Sequence, residues 1–236
     1  MATAMSQDMK TVVRSLKGNH FNPVEFVEKA DNATQVVLDM IPLEATIGFA
    51  GSMSVAQISV YSSLKKRGAT CVGLVAPSSS PHEDWKRPTL RADVLLASSN
   101  AVTLDGKLVN IDGTGNRVAG MIFGPKKVIL VIGMNKIVRD VDGAIDRIRN
   151  VIAPYHAMTL GRKTPCATEL RCTDCRSPER ICNITTIIEK KPSSTDIAIV
   201  LVGEDLGLGW DPDWPEGRKE RIASVYQRQM ERIGLR

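Results

Sequence analysis

The chain has 236 residues, of which 43% are hydrophobic and only 4% aromatic. This size and composition suit one larger domain, or one domain with an insertion, built around an aliphatic α/β core. A net charge of +5 with scattered basic residues suits small anionic molecules and argues against nucleic acid. No secretory signal is visible and no apolar run approaches the ~18–20 residues of a membrane span, so we expect a cytoplasmic protein without a membrane partner.

The apolar pattern predicts alternating helices and strands. Residues 23–40 are predicted to form an amphipathic helix with Pro23 at its first position. Strands are expected at 45–50, 70–77, 92–99, 126–134, 183–191 and 196–204, and further helices at 52–68, 117–124, 140–156 and 218–236. Strands that alternate with helices indicate βαβ units and a parallel sheet.

The same pattern suggests how the chain is divided. We expect an N-terminal segment (1–22), an α/β domain (23–205) and a C-terminal loop and helix (206–236). Residues 159–182 are rich in Cys and Arg and poor in apolar side chains. They are therefore interpreted as an insertion within the α/β domain.

Two junctions after predicted strands are candidate ligand loops, because ligands in open α/β sheets bind at the carboxyl ends of the strands. The first is GFAGSMS (48–54), where Gly51 permits close backbone approach and Ser52 and Met53 open a helix. An ordinary strand–helix turn with a serine cap would give the same pattern.

The second junction is SSNAVTLDGKLVNIDGTGNR (98–117), which is unusually polar for a segment between two buried strands. Asp105-Gly106 predicts a tight turn, 107–111 a short strand, and Asn116 the cap of the next helix. Such a loop is costly unless its polar groups find partners, either a bound anion or one another. The candidate anion-binding residues are Gly51, Ser52, Met53, Asn100, Asp105, Gly106, Asn110, Asp112, Asn116 and Lys136, the last of which follows the fourth predicted strand.

The stretch ADVLLASSNAVTLDGKLVNIDGTGNRVAGMIFGPKKVILVIGMNKIV (92–138) resembles the LUD (lactate-utilisation, LutC-like) domain family, and the resemblance extends from about Pro23 to Glu204. It implies an α/β fold with a Rossmann-like, mainly parallel sheet of the sugar-phosphate isomerase and CoA-transferase type. Ligand loops are implied at both junctions, for a small anion such as a carboxylate, a phosphate or a CoA ester. The chain departs from lactate-operon members at residues 100–103, where Asn-Ala-Val-Thr replaces an acidic-Thr-Gly-Thr motif.

Four cysteines, Cys166, Cys172, Cys175 and Cys182, lie within seventeen residues at the spacing C-x5-C-x2-C-x6-C. This block also resembles one found in stand-alone LUD-domain proteins. Thiols so concentrated in a reducing compartment indicate a metal centre, either an iron–sulfur cluster (4Fe-4S) or zinc, with free or disulfide-bonded thiols as the alternative. The basic residues among them would offset thiolate charge. Cys71, in a predicted strand, is interpreted as a core thiol.

The sequence leaves the reaction open. No Ser–His–Asp order, HExxH motif or paired carboxylates stand out, and His20, His82 and His156 are each interpreted as surface or loop residues. Three functions remain: a LUD-domain protein of lactate or other small-carboxylate utilisation, an isomerase or transferase of phosphorylated or CoA-linked substrates, and a non-catalytic ligand sensor. Other lactate-utilisation subunits are candidate partners, and homo-oligomerisation stays open.

Overall fold

The computed structural model describes residues 5–73, 85–207, 215–217, 219–220 and 223–224. The helices are α1 (Gln7–Gly18), α2 (Ala30–Asp39), α3 (Met53–Gln57), α4 (Val60–Lys66), α5 (Asn116–Ile122), α6 (Val141–Arg147), α7 (Ala153–Thr159) and α8 (Pro165–Glu169). The strands are β1 (Val24–Val27), β2 (Ile47–Phe49), β3 (Cys71–Val72), β4 (Val94–Ala97), β5 (Ala101–Thr103), β6 (Leu108–Asp112), β7 (Lys127–Gly133), β8 (Ile137–Val138), β9 (Ile184–Ile188) and β10 (Asp196–Val202). A π-helix, Ile148–Ile152, joins α6 to α7.

The main sheet confirms the predicted α/β class with a mainly parallel sheet. Its six described strands run in the order β1-β10-β7-β4-β2-β3, and every pairing is parallel. The central strands β7 and β10 are almost continuously apolar and buried. This pattern is typical of parallel strands that are covered on both faces.

Helices cover both faces of this sheet. On one face, α2 and α4 pack against alternate strand residues such as Ile129 and Val200. On the other, α1 and Met121 of α5 pack against the intervening residues, such as Leu130 and Ile199. The alternation follows from the two-residue period of a strand, which sends successive side chains to opposite faces.

A second sheet extends from the carboxyl end of β4. Its order is β8-β5-β6-β9, with β5 and β6 forming an antiparallel hairpin. The polar segment 98–117 therefore supplies both hairpin strands, and the predicted short strand at 107–111 is confirmed as β6. β9 joins this sheet by pairing with β6. The helix α6 and the π-helix pack against the apolar side of β5 and β6.

The helix predicted over 23–40 is wrong in its first part. Residues 24–27 form β1, which pairs with β10, and the helix begins only at Ala30. Val24 and Val27 are three residues apart, which fits a helical stripe, but in the structure they face opposite sides of the sheet. The N-terminal segment 1–22, which has no predicted element, forms α1 and buries Met9, Val12 and Leu16.

Several predicted features lie outside the residues that the structure describes. The end of the second predicted strand, the Ser/Pro loop with His82, and most of the helix predicted at 218–236 lie outside the described residues. Within the described residues, no helix combines the length and the apolar character needed to cross a bilayer.

Candidate functional site

A cavity of about 300 Å³ opens where the main sheet meets the second sheet. Three neighbouring strands end at it: Ala50–Ser54 follow β2, Ser98–Asn100 follow β4, and Lys136 follows β7. Residues of β6, α5 and α7 form the opposite wall. The two junctions singled out in the sequence thus meet in one cavity, at the edge of the sheet where parallel α/β folds bind ligands.

Lys136 is the most buried charged side chain lining this cavity, with 5% of its surface exposed. Its Nζ donates to the Ser54 Oγ at 2.7 Å and to the Ser98 Oγ at 2.8 Å, so it links the ends of three strands. Gly207 closes over the amine. A Cβ at that position would lie 3.0 Å from Nζ, and the positive φ of +91° also favours glycine.

The electrostatic surroundings oppose a charge on this amine. Burial, and then the nearby guanidinium groups of Arg147 and Arg117, hold the pKa of Lys136 well below its ordinary value. The hydrogen-bond partners of Nζ among the described residues are hydroxyl groups, not carboxylates. A protonated Lys136 is thus offset by no carboxylate hydrogen bond from the described residues, and a neutral one is a nucleophile or a base.

Arg117 organises the polar segment that forms one wall. Its guanidinium donates to the carbonyls of Ser98 and Ile111 and to the side-chain oxygens of Asn100 and Asn110. The Asn110 oxygen also accepts from the Asn100 amide at 3.0 Å, and the Asn100 oxygen accepts from the Ile111 amide at 3.0 Å. The polar groups of this wall are thus largely satisfied by one another.

Seven of the ten candidate anion-binding residues line the cavity: Gly51, Ser52, Met53, Asn100, Asp112, Asn116 and Lys136. Ser52 caps α3 as expected, because its Oγ accepts from the Val55 amide at 3.3 Å. Asn116 is not the cap of α5 but its first residue, and the Asp112 carboxylate accepts from the Val118 amide instead, at 3.2 Å. Asn110 is fully buried behind the cavity wall, as a partner of Arg117.

The placement of Asp105 and Gly106 in the cavity is wrong. They form the turn of the β5–β6 hairpin, which packs against the end of α1, where the Asn19 side chain donates to both of their carbonyls. A Cβ at Gly106 would lie 2.8 Å from the Ser15 backbone. Hydrogen bonds from Thr103 and Lys107 lower the pKa of Asp105. The hairpin reverses direction here, which carries its turn away from the strand ends.

The match to known families decides what kind of domain this is. The family model described as the LUD domain matches residues 9–202. The chain belongs to the LUD domain family. The match includes most of α1, both sheets and, apart from Gly207, every residue that lines the cavity.

The chain also has a distant neighbour among solved structures. A crystal structure of a DUF162 family protein from Deinococcus radiodurans is 13% identical, with a TM-score of 0.46, covering 84% of this chain and 98% of that one. No curated protein matches the chain.

Sequence reasoning missed the wall that the π-helix, α7 and the residue after it contribute to the LUD domain cavity. Ile148, Ile152, His156 and Leu160 line it at intervals of four residues, a helical spacing that the sequence does contain. The interpretation of His156 as a surface residue is wrong. Its Nδ1 is buried without a hydrogen-bond partner among the described residues, and burial together with Arg117 and Arg162 lowers its pKa to about 4.

The four clustered cysteines of this LUD chain form no disulfide bonds. Cys182 lines the cavity, and burial raises the pKa of its thiol, with a further increase from Cys172 and Cys166 that Arg180 opposes. Arg180 orders the segment by donating to the carbonyls of Cys175 and Cys182. In the part of the chain that the structure describes, no three His, Cys, Asp or Glu side chains are arranged to hold a metal ion. The metal centre thus stays a prediction.

Proposed function

We propose that this LUD-domain protein binds a small anionic carboxylate in the cavity, as part of lactate or other small-carboxylate utilisation. Four basic residues line the cavity (Lys86, Arg117, Lys136 and Arg162), against one acidic residue, Asp112. The observation that carries the proposal is the burial of Lys136 among hydroxyl groups and arginines. A buried cationic region of this kind is costly unless an anion offsets it.

The dimensions of the cavity favour a small ligand. Its volume of about 300 Å³ lies at the lower end of the range for ligand sites, roughly 300–1,000 Å³. A carboxylic acid of a few carbons, or inorganic phosphate, would fit within it. A complete CoA ester would have to extend out of the mouth, beside Lys86 and Arg162.

The alternative functions have weaker support. An isomerase that uses a carboxylate as its base needs that group aimed into the cavity, but Asp112 is engaged with the Val118 amide and lies 3.9 Å from the Arg117 Nε. A purely passive sensor would not need a buried amine and a buried imidazole facing the ligand space. Lys136 and His156 therefore favour a catalytic cavity over one that only binds a ligand.

The cysteine segment supports a second proposal, that Cys166, Cys172, Cys175 and Cys182 hold an iron–sulfur cluster or zinc. The Cys182 thiol interacts electrostatically with those of Cys172 and Cys166, so three of the four lie in the same region. Metal loading would require the segment to rearrange, because the described side chains do not form a metal site. A centre there would lie next to the cavity, since Cys182 lines both regions.

Binding measurements test the carboxylate proposal. Isothermal titration calorimetry with L-lactate, D-lactate, pyruvate, acetate, phosphate and CoA should show binding of at least one small carboxylate. Lys136→Met, with its fold checked by circular dichroism, should weaken that binding about tenfold or more, because it removes the buried amine that can donate hydrogen bonds to an anion in the cavity. Arg162→Met, at the exposed mouth, should have a smaller effect.

Lys107→Met is the matched control. Lys107 pairs with Asp105 at 3.1 Å on the hairpin turn, outside the cavity, so its loss should leave binding unchanged. The proposal is wrong if none of the small anions binds the wild-type protein, or if Lys136→Met and Lys107→Met bind equally well.

A further inference from the structure

The amine of Lys136 is held in an unusual hydrogen-bond arrangement. Within the described structure its partners are two serine hydroxyls, Ser54 Oγ at 2.7 Å and Ser98 Oγ at 2.8 Å. A neutral amine has two N–H groups, and each can donate a hydrogen bond to one of these two oxygens. Its lone pair is then left without a proton and can attack an electrophile.

The backbone around Lys136 is held firmly, so the amine has a defined position. The carbonyl of the preceding residue, Asn135, accepts from the Arg147 Nε at 2.9 Å, and the Asn135 side chain accepts from the Leu206 amide at 3.0 Å. Gly207, directly after Leu206, lies against Nζ. The side chain is thus supported from β7, α6 and the segment that follows β10, as a reacting group requires.

Resting on the proposed carboxylate site, we infer that Lys136 forms a Schiff base with the carbonyl carbon of a small 2-oxo acid. The ligand needs an anionic group, because the cavity is lined by cationic side chains. It needs an adjacent carbonyl, because the amine at the base of the cavity reacts with that group. A 2-oxo acid of a few carbons carries both within the volume available.

The surroundings favour the neutral amine that this chemistry needs. Burial and the charges of Arg147 on α6 and Arg117 on α5 lower the pKa of Lys136. A lysine next to other cations in a desolvated site is a recognised way to obtain a nucleophilic amine near neutral pH. Both arginines are guanidinium groups that stay charged, so they can also attract the carboxylate of the ligand.

The reaction is balanced and redox-neutral. The Nζ lone pair forms a C–N bond to the carbonyl carbon while the carbonyl π electrons move to oxygen, and one N–H proton passes from the nitrogen to that oxygen through the neighbouring hydroxyl of Ser54, which gives a neutral carbinolamine. The second N–H proton then passes from the nitrogen to the same oxygen, the nitrogen electron pair forms the C=N bond, the C–O bond breaks, and one water leaves. The products are an imine and water, and a proton from solvent converts the imine into its cationic form.

Borohydride trapping tests the inference, because it reduces an imine to a stable secondary amine. The folded full-length protein is incubated with pyruvate or 2-oxobutyrate, reduced, and mapped by peptide mass spectrometry. We expect one main adduct, on Lys136, in the wild type and in Lys107→Met, and none at this site with L-lactate, which has no carbonyl. Lys136→Met and Lys136→Arg should give no such adduct.

The serines and the pH profile separate a reactive role from a structural one. Ser54→Ala and Ser98→Ala should slow trapping by about tenfold or more, since they remove positioned proton-transfer groups. An ordinary lysine gains neutral form about tenfold per pH unit below its pKa, so its trapping rate climbs steeply from pH 7 to 9. Lys136 should show a flatter profile, because burial and the charges of Arg147 and Arg117 lower its pKa.

The outcomes distinguish this inference from the proposed function. Binding of lactate or pyruvate without an adduct on Lys136 above the level on Lys107 overturns the Schiff base and leaves the anion site standing. Absence of both binding and adduct overturns both. Labelling of Ser54 by a fluorophosphonate, abolished in Lys136→Met, would show that the amine serves instead as the base for a serine nucleophile, and would also overturn the inference.

Discussion

Replacing Arg117 by methionine tests the structural basis of the cavity wall. Arg117 is only 9% exposed, and methionine fills a similar volume without the guanidinium. The change leaves four acceptors without their donor: two backbone carbonyls, of Ser98 and Ile111, and two amide oxygens, of Asn100 and Asn110. These acceptors fix the path of the chain from β4 into the second sheet.

The size of the effect follows from the number and burial of these bonds. Each hydrogen bond to a charged group contributes roughly 1.5–3 kcal/mol. The four share one donor group, so their contributions do not add, and water from the adjacent cavity can reach some of the acceptors. We therefore expect a loss of about 3–5 kcal/mol, as for other broken buried charge networks. That is a large fraction of the roughly 5–15 kcal/mol that stabilises a typical domain.

Urea unfolding followed by far-ultraviolet circular dichroism measures this loss. Arg139→Met is the matched control, because the Arg139 side chain is 90% exposed and forms only a 3.8 Å surface pair with Asp140; its effect should stay below about 1 kcal/mol. The slope of the free energy of unfolding against urea should agree between the variants, so that midpoints can be compared. A loss in Arg117→Met no larger than in Arg139→Met would refute the idea that the guanidinium holds the second sheet in place.

Three further predictions concern other parts of the molecule. The pKa of the His156 imidazole should be about 4 in the folded protein. Because the unfolded chain binds that proton more readily, the free energy of unfolding should fall as the pH drops from about 6.5 to 4. His156→Gln should lose this dependence of the free energy of unfolding on pH. Gly133→Ala should cost about 1–3 kcal/mol in urea unfolding, because a Cβ would lie 2.5 Å from the Leu206 amide nitrogen, whereas Gly18→Ala, with nothing within 4 Å, should be near neutral. Elemental analysis of protein purified anaerobically should find iron or zinc, and the amount of bound metal should be lower in Cys172→Ser. A wild-type protein with neither metal would contradict the metal centre.

The fold could be predicted where one strong pattern decides the structure. β7 and β10 are runs of seven residues that are apolar almost throughout, and such runs between helical stretches indicate a parallel sheet. The pattern failed at 24–27, because four residues with apolar positions three apart fit a helix as well as an edge strand. Only the pairing with β10, whose residues lie 175 positions further along the chain than their partners in β1, selects the strand. Local sequence does not contain that partner.

The part of the candidate site that could be predicted from the sequence consists of residues that directly follow strands. Gly51, Asn100 and Lys136 each follow a strand of the main sheet, so the rule that strand ends meet at one edge places them together. Asp105 follows the same polar signal but sits at the far end of a hairpin, and polarity alone does not distinguish the two ends. His156 and Arg117 come from helices whose rotation about their own axes depends on packing against the second sheet, which the sequence does not reveal.

The second sheet also changes how the polar segment should be understood. A segment that was expected to need an external anion satisfies most of its own polar groups through Arg117, Asn100 and Asn110. The polar group that still lacks a charged partner is the buried amine of Lys136. Hydroxyls and arginines surround this amine, and it has no carboxylate hydrogen-bond partner among the described residues. Polar residues of the wall thus hold one another in place, and under our proposals the ligand-binding and reactive group is the buried Lys136. Substitutions in the wall should therefore act on stability first, and substitutions of Lys136 on ligand binding first.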